Sequence, residues 1–360
     1  MRPVRILLVY ARDPGSATLS YQQGWPRAFL RHPRFRCAAV DLLNRGQRAR
    51  AMLSLRRVDA VVLLHSVFSN SRHLDGRLFG AIARAGLPTA FFIGNEYKLM
   101  PEKMAFCEEL GVRLLVSQIT SEPALDLYRA RLGCTVVGIP NTGVDSELFA
   151  PRVPWAERDL DLGYRAYDLP WYVGHRDRRL LADAVLADAP QYGLRLDISL
   201  DPDDRLGERD WAGFLNRCRA QLGCEAGTDF FELDDRTRLG VLAYLDEHPG
   251  ATYEEVNELF FAHYEHPVSG RALSGRVVEA AATGTVQVLL EGEYAGVFRP
   301  GEHYLPVRRD LADLDEALVA LRDEELCVAL AERARGVALA ELTYERLVER
   351  FYDAFLPVVQ

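Results

Sequence analysis

Short apolar runs alternate with amphipathic stretches of 10 to 15 residues along the first 140 residues of the chain. The runs at 4–10, 37–42, 58–64, 88–93, 113–117 and 135–138 read as buried strands, with helices between them, two of these near 21–30 and 74–85. Strands alternating with helices mean βαβ units, a parallel sheet and right-handed crossovers. Polar residues gather where the strands end: Arg12, Asp13, Gly15 and Ser16 after the first, His65 and Ser66 after the third, Asn95 and Glu96 after the fourth. Open α/β sheets bind ligands at those carboxyl ends.

A segment rich in proline and turn residues, 140–154, then interrupts the pattern. A second, less regular alternation follows, with strand-like runs at 159–164, 171–174, 194–200, 214–223 and 285–290. From Leu311 onward the chain is mostly amphipathic helix, and 344–355 has the pattern of a helix that packs back across the molecule. The expected fold is α/β, with two doubly wound Rossmann-like domains facing across a cleft. The first spans 1–150, the second 151–340, and a C-terminal helix at 341–360 returns to the first.

The apolar content of 49% suffices for two cores, and the net charge of −9 argues against nucleic acid or an anionic membrane as partner. An anionic ligand must therefore be held by local cations, and all but Lys98 and Lys103 of these are arginines. The six cysteines (37, 107, 134, 218, 224 and 327) form no CxxC pair or metal-ligand spacing, and no apolar run is long enough to span a membrane. With no signal-peptide pattern, a reducing cytoplasm is the expected compartment.

The most informative stretch runs from Arg271 to Gly284. It sets Arg276 and Glu279 at the start of a small-residue helix, which Gly284 breaks into the strand at 285–290. A helix N-terminus attracts phosphate through its free N–H groups and dipole, and an arginine there adds bidentate charge. A carboxylate one turn on can accept hydrogen bonds from ribose hydroxyls, or it can simply favour the helix start. Two clusters of metal-ligand residue types read differently. His263, Glu265 and His266 are followed by the helix-breaking Pro267, and Asp201, Asp203 and Asp204 surround Pro202, so neither spacing aligns metal ligands. No GxGxxG fingerprint follows the first strand.

These motifs carry a resemblance. Gly138-Ile-Pro-Asn141-Thr-Gly143-Val-Asp145, with Phe149-Ala-Pro151, resembles the interdomain strand exit of GT-B-fold glycosyltransferases of the family 4 type. Leu273-Ser-Gly-Arg276-Val-Val-Glu279-Ala, Glu293-Tyr294-Ala-Gly296 and the segment from His303-Tyr304 to Asp310 resemble the donor half of their spore-maturation-type (CgeB-like) branch, as does 214–227. The resemblance implies sugar transfer from a nucleoside-diphosphate sugar held by the second domain, and it leans towards retention of configuration.

In such enzymes two glutamates are separated by seven intervening residues. The second matches Glu279, and Arg271 stands eight residues before it, in place of the first. The resemblance further implies a diphosphate-neutralising Arg178 or Arg179 and donor contacts from Glu225, Arg271, Tyr294, His303 and Tyr304. The acceptor side would be formed by Arg12, Gly15, Asn95 and Glu96. His65 is either a general base or a strand-end histidine bonded to its neighbours. No cofactor is expected, because arginines supply the charge that a magnesium ion would otherwise bring. The acceptor stays open between a saccharide, a peptide and a small natural product. Two other readings keep the fold: a nucleotide-sugar epimerase or phosphorylase, and a nucleotide-sugar-binding protein without turnover.

Overall fold

The computed structural model describes residues 2–12, 20–263 and 268–360. The first half runs β1 (Val4–Tyr10), α1 (Tyr21–Arg31), β2 (Phe35–Asp41), α2 (Arg45–Ser54), β3 (Ala60–Leu63), α3 (Gly76–Ala85), β4 (Thr89–Phe92), α4 (Met100–Leu110), β5 (Leu114–Ser117), α5 (Glu122–Leu132) and β6 (Thr135–Gly138). Its six strands form one sheet in the order β2-β1-β3-β4-β5-β6, and every pairing is parallel. Ile6, Leu7, Leu8 and Val9 are wholly buried, as apolar runs covered by helices on both faces must be.

The second half runs β7 (Leu160–Arg165), α6 (Asp177–Asp188), β8 (Leu196–Ser199), α7 (Glu208–Arg217), β9 (Cys218–Gly223), β10 (Ala226–Thr228), α8 (Arg236–Glu247), α9 (Tyr253–Phe260), β11 (Gly270–Ala272), α10 (Gly275–Ala282), β12 (Val286–Leu290), β13 (Leu305–Val307), α11 (Leu314–Ala320), α12 (Glu324–Glu341) and α13 (Tyr344–Val359). Five of its strands make a second parallel sheet, β13-β12-β9-β7-β8, while β10 and β11 form a separate antiparallel ribbon. Among the described residues, no helix is long and apolar enough to cross a membrane.

Two expected strands are corrected. Residues 171–173 form a short 3₁₀ turn, entered from Pro170 and closed by Gly174 in the left-handed region. Within 214–223, Phe214 to Arg217 instead end α7, because Trp211, Phe214 and Leu215 recur at helical spacing and bury one face. The strand begins only at Cys218.

The last helix closes the molecule. The Thr343 side chain caps α13, and Phe351 packs its ring 5.3 Å from Phe29 and 5.0 Å from Phe92, against the first sheet. One apolar cluster thus runs from β1 and α1 through α13 to α10 and β12.

Candidate active site

In each sheet the strand order reverses once, between β1 and β3 in the first and between β7 and β9 in the second. The loops leaving such neighbours diverge and open a crevice at their carboxyl ends. The two crevices face each other. The resulting cleft, of about 390 Å³, is lined from the first half by Ser20 and Tyr21 beyond β1 and by Ser66 and Ser69 beyond β3. From the second half come Arg165 and Tyr167 at the end of β7, Gly227 beyond β9, and the start of α10.

α10 enters the cleft with Ser274 at its N-cap, whose side chain makes no capping bond. Its first N–H groups therefore gain no side-chain acceptor there. Gly275 permits the approach of the two halves: a Cβ there would meet the Thr142 side chain at 2.9 Å. At the other end, Gly284 sits at φ +62 and turns the chain directly into β12.

Arg276 and Glu279 both line the cleft. The Glu279 carboxylate accepts from Ser20 Oγ at 2.5 Å and from Trp211 Nε1 at 2.8 Å, so it is held by one group from each half. Burial lifts its pKa to about 7, against the lowering pull of those two donors and of Arg276. Arg276 is held below the ordinary arginine range, first by burial and then by the positive charge of Arg178. Arg178 is buried in the same wall, with its guanidinium 4.6 Å from the Tyr167 ring centre. Neither arginine forms an ion pair among the described residues, and Arg178 Nε has no hydrogen-bond partner. A buried Arg178 whose like charge acts on a half-buried Arg276, with no ion pair for either among the described residues, is costly unless an anion joins them.

The other expected site residues are placed elsewhere. Arg179 turns to Asp168, 2.6 Å away, and lies outside the cleft. Arg271 is neutralised by Asp177 at 2.5 Å and by Asp229, which leaves its guanidinium no charge to offer a donor. Arg271 and Glu225 line a second hollow that shares no residue with the cleft. Glu225 accepts from the Tyr294 backbone N–H at 2.8 Å and so anchors the loop after β12. Tyr294 and Tyr304 are buried core rings 5.3 Å apart, and Tyr294 donates its hydroxyl to the Leu290 carbonyl. His303 is occupied in its own turn, where Nδ1 accepts from the Arg299 N–H.

In the first half, His65 lies beneath the cleft wall, among the rings of Tyr21, Trp25 and Phe92. Burial drops its pKa to about 3, so it stays neutral, and it does not line the cleft. Arg12 stacks on Tyr10 at the surface, and Gly15 lies outside the described residues. Asn95 does line the cleft, whereas the Glu96 carboxylate is buried and accepts from Ser117, Gln118 and Tyr128. Asp201, Asp203 and Asp204 sit in an exposed 3₁₀ turn, and His263 pairs with Glu258; Glu265 and His266 lie outside the described residues.

The loop carrying Asn95 is held from beneath by Lys103. This wholly buried ammonium donates to the carbonyls of Gly94 at 2.6 Å, Asn95 at 2.8 Å and Lys98 at 2.7 Å. Asp235, from the second half, caps the start of α4 through the Leu99 N–H at 2.7 Å. Lys103→Met is expected to cost about 3 kcal/mol, since three buried carbonyls lose their donor while the penalty for burying a charge is relieved. Urea unfolding measures this, and a loss below about 1 kcal/mol contradicts the clamp.

Sequence reading missed Ser20, Trp211, Tyr167, Asn70 and Gln118, all of which line the cleft. The helical spacing of Trp211 and Phe214 was the only available signal, and it spoke of core packing.

Residues 251–353 match the family described as Glycosyl transferase-like. Among solved structures, HepE of Anabaena in complex with UDP and glucose superposes with a TM-score of 0.52 at 10% identity, over 98% of this chain and 100% of that one. A glycosyltransferase of Rickettsia africae gives 0.55 at 9% identity over 100% of both chains. AviGT4, a glycosyltransferase involved in avilamycin A biosynthesis, gives 0.53 at 16% identity over 99% and 98%. At such identities the likeness is one of fold. No curated protein matches the chain in sequence. The likeness shows the fold, two Rossmann-like domains in the GT-B arrangement, and within it the segment 251–353 is glycosyl transferase-like.

Proposed function

We propose that the protein moves a glycosyl group from a nucleoside-diphosphate sugar to an acceptor hydroxyl, with retention of configuration, as a member of the spore-maturation-type branch of family 4. The observation that carries this reading is a pair of cleft-lining arginines with no ion pair among the described residues, Arg178 on α6 and Arg276 in the first turn of α10, with Glu279 one turn further along α10. The arginines receive the diphosphate, and Glu279 accepts from the ribose hydroxyls. As the bond from the anomeric carbon to the diphosphate oxygen breaks, charge grows on the leaving group. Preorganised donors there contribute the largest share of such catalysis. This charge comes from the protein, so the reading requires no metal ion.

Glu279 is the only carboxylate lining the cleft among the described residues, and it is assigned to the donor. With His65 neutral and covered, the departing diphosphate oxygen takes the acceptor's proton while the acceptor oxygen bonds to the same face of the sugar. That course favours retention. Since HepE was crystallised with UDP-glucose, that donor heads the panel to be tested. Calorimetry with UDP-, GDP-, ADP- and dTDP-sugars should find one that binds, and NMR of the product should find the donor's anomeric configuration kept. Absence of binding by all four removes the donor reading, and an inverted product removes retention. A second reading, binding without transfer, draws on Arg271, which is locked to two aspartates where relatives carry a glutamate for the sugar. A donor that binds yet stays intact with saccharide, peptide and small natural-product acceptors alike favours that reading.

A further inference from the structure

The two walls of the cleft differ in charge. The lining arginines, Arg165, Arg178, Arg205 and Arg276, and the lining carboxyl of Glu279 all come from the second half. The wall from the first half is built of hydroxyls, amides and phenols, with the imidazole of His73 beside them. Among the described residues it presents no lysine, arginine, aspartate or glutamate.

Two loops of this wall are tied to each other. Asn95 Nδ2 donates to Asn70 Oδ1 at 2.7 Å, which ties the loop after β4 to the loop after β3. Asn70 keeps its amide N–H groups and Asn95 its carbonyl oxygen, neither with another partner among the described residues. The result is a fixed donor beside a fixed acceptor, flanked by Ser69 and Gln118. The Lys103 clamp beneath sets its position.

Resting on the donor reading above, we infer that the acceptor is an uncharged saccharide, bound through its hydroxyls by Asn70, Asn95, Ser69 and Gln118. A sugar hydroxyl donates and accepts at once, so adjacent ring hydroxyls match an amide N–H beside an amide oxygen. Tyr21 and Tyr97 add aromatic rings to the same wall, suited to the apolar C–H face of a sugar. Among the described residues of this wall, a phosphorylated or uronic-acid acceptor would lose hydration with no arginine or lysine to replace it, and a peptide amine would meet no carboxylate. Specificity of this kind follows from groups left unpaired by the wrong ligand.

Saturation-transfer NMR on the full chain, without donor, compares neutral disaccharides with uronate-bearing disaccharides, phosphorylated sugars and short peptides. A neutral disaccharide should give signals about tenfold stronger than any charged probe. Asn70→Ala, at an exposed position, should remove them, while Arg276→Ala should leave them intact. In transfer assays Asn70→Ala and Asn95→Ala should raise the KM for acceptor about tenfold and leave that for donor unchanged. A stronger signal from a charged saccharide or a peptide overturns the inference, as does an Asn70→Ala protein with unaltered signals. Because the NMR arm needs no nucleotide, a failed donor reading appears separately, as absent calorimetric binding beside intact saccharide signals.

Discussion

Arg276→Ala should weaken binding of the nucleoside diphosphate, and lower kcat with the cognate donor, by about 10²–10³-fold, the range expected when a donor aimed at developing oxyanion charge is removed. The folded protein should suffer no penalty. In the free cleft Arg276 is disfavoured by burial and by the charge of Arg178, so its removal relieves repulsion. Thermal melting should therefore show the variant as stable as the parent, or slightly more so, a separation typical of residues kept for function. Arg276→Lys should recover only part of the activity, because a point charge cannot make the paired contacts of a guanidinium. The Arg178→Ala and Arg276→Ala losses should not add, since both residues face one anion. An Arg276→Ala protein that binds the nucleotide as tightly as the parent refutes the assignment of this wall to the donor.

The second large effect concerns Glu279 and pH. Burial raises this carboxyl from 4.5 to about 7, so between those values the folded protein holds a proton that the unfolded chain has released. Stability from this group is accordingly complete below pH 4.5 and is lost as the pH rises through 7. At 1.36 kcal/mol per unit the loss approaches about 3 kcal/mol at pH 8. Glu279→Gln keeps the shape and one acceptor for Trp211, while its amide N–H donates to Ser20. It should therefore be more stable than the parent at pH 8 and nearly equal at pH 4.5, as measured by denaturant midpoints across that range. Donor binding should move the other way. Ribose hydroxyls favour the ionised carboxylate, so affinity in the parent rises as the pH passes through about 7, and in the Gln variant it stays weak and flat. Parallel stability curves for the two proteins would falsify the buried, raised carboxyl.

Much of the scaffold is legible from local pattern. Buried parallel strands are continuous apolar runs, so 4–10 and 135–138 were placed to the residue, and 285–290 to within one. Where burial was one-sided the pattern misled. The Trp211 and Phe214 spacing belongs to a helix, and 171–174 is apolar because it closes a turn against Phe261, not because it pairs in a sheet. Arg276 and Glu279 were recognisable because a helix start, a glycine stop and a strand are all set within a dozen residues.

What lay beyond reach was the partnership of side chains far apart in sequence. Arg271 and Arg178 look alike along the chain, yet Asp177 and Asp229 neutralise the first, while no carboxylate pairs with the second among the described residues. His65 has the residue type of a base, and the surrounding rings of Tyr21, Trp25 and Phe92 deny it a proton. The sequence alone therefore determined two α/β halves and the short element that presents an arginine and a carboxylate, since periodicity and helix punctuation act over a few residues. Tertiary structure decided which charges stay unpaired and which wall of the cleft carries the arginines. Electrostatic pairing and desolvation depend on distances that only the folded chain sets.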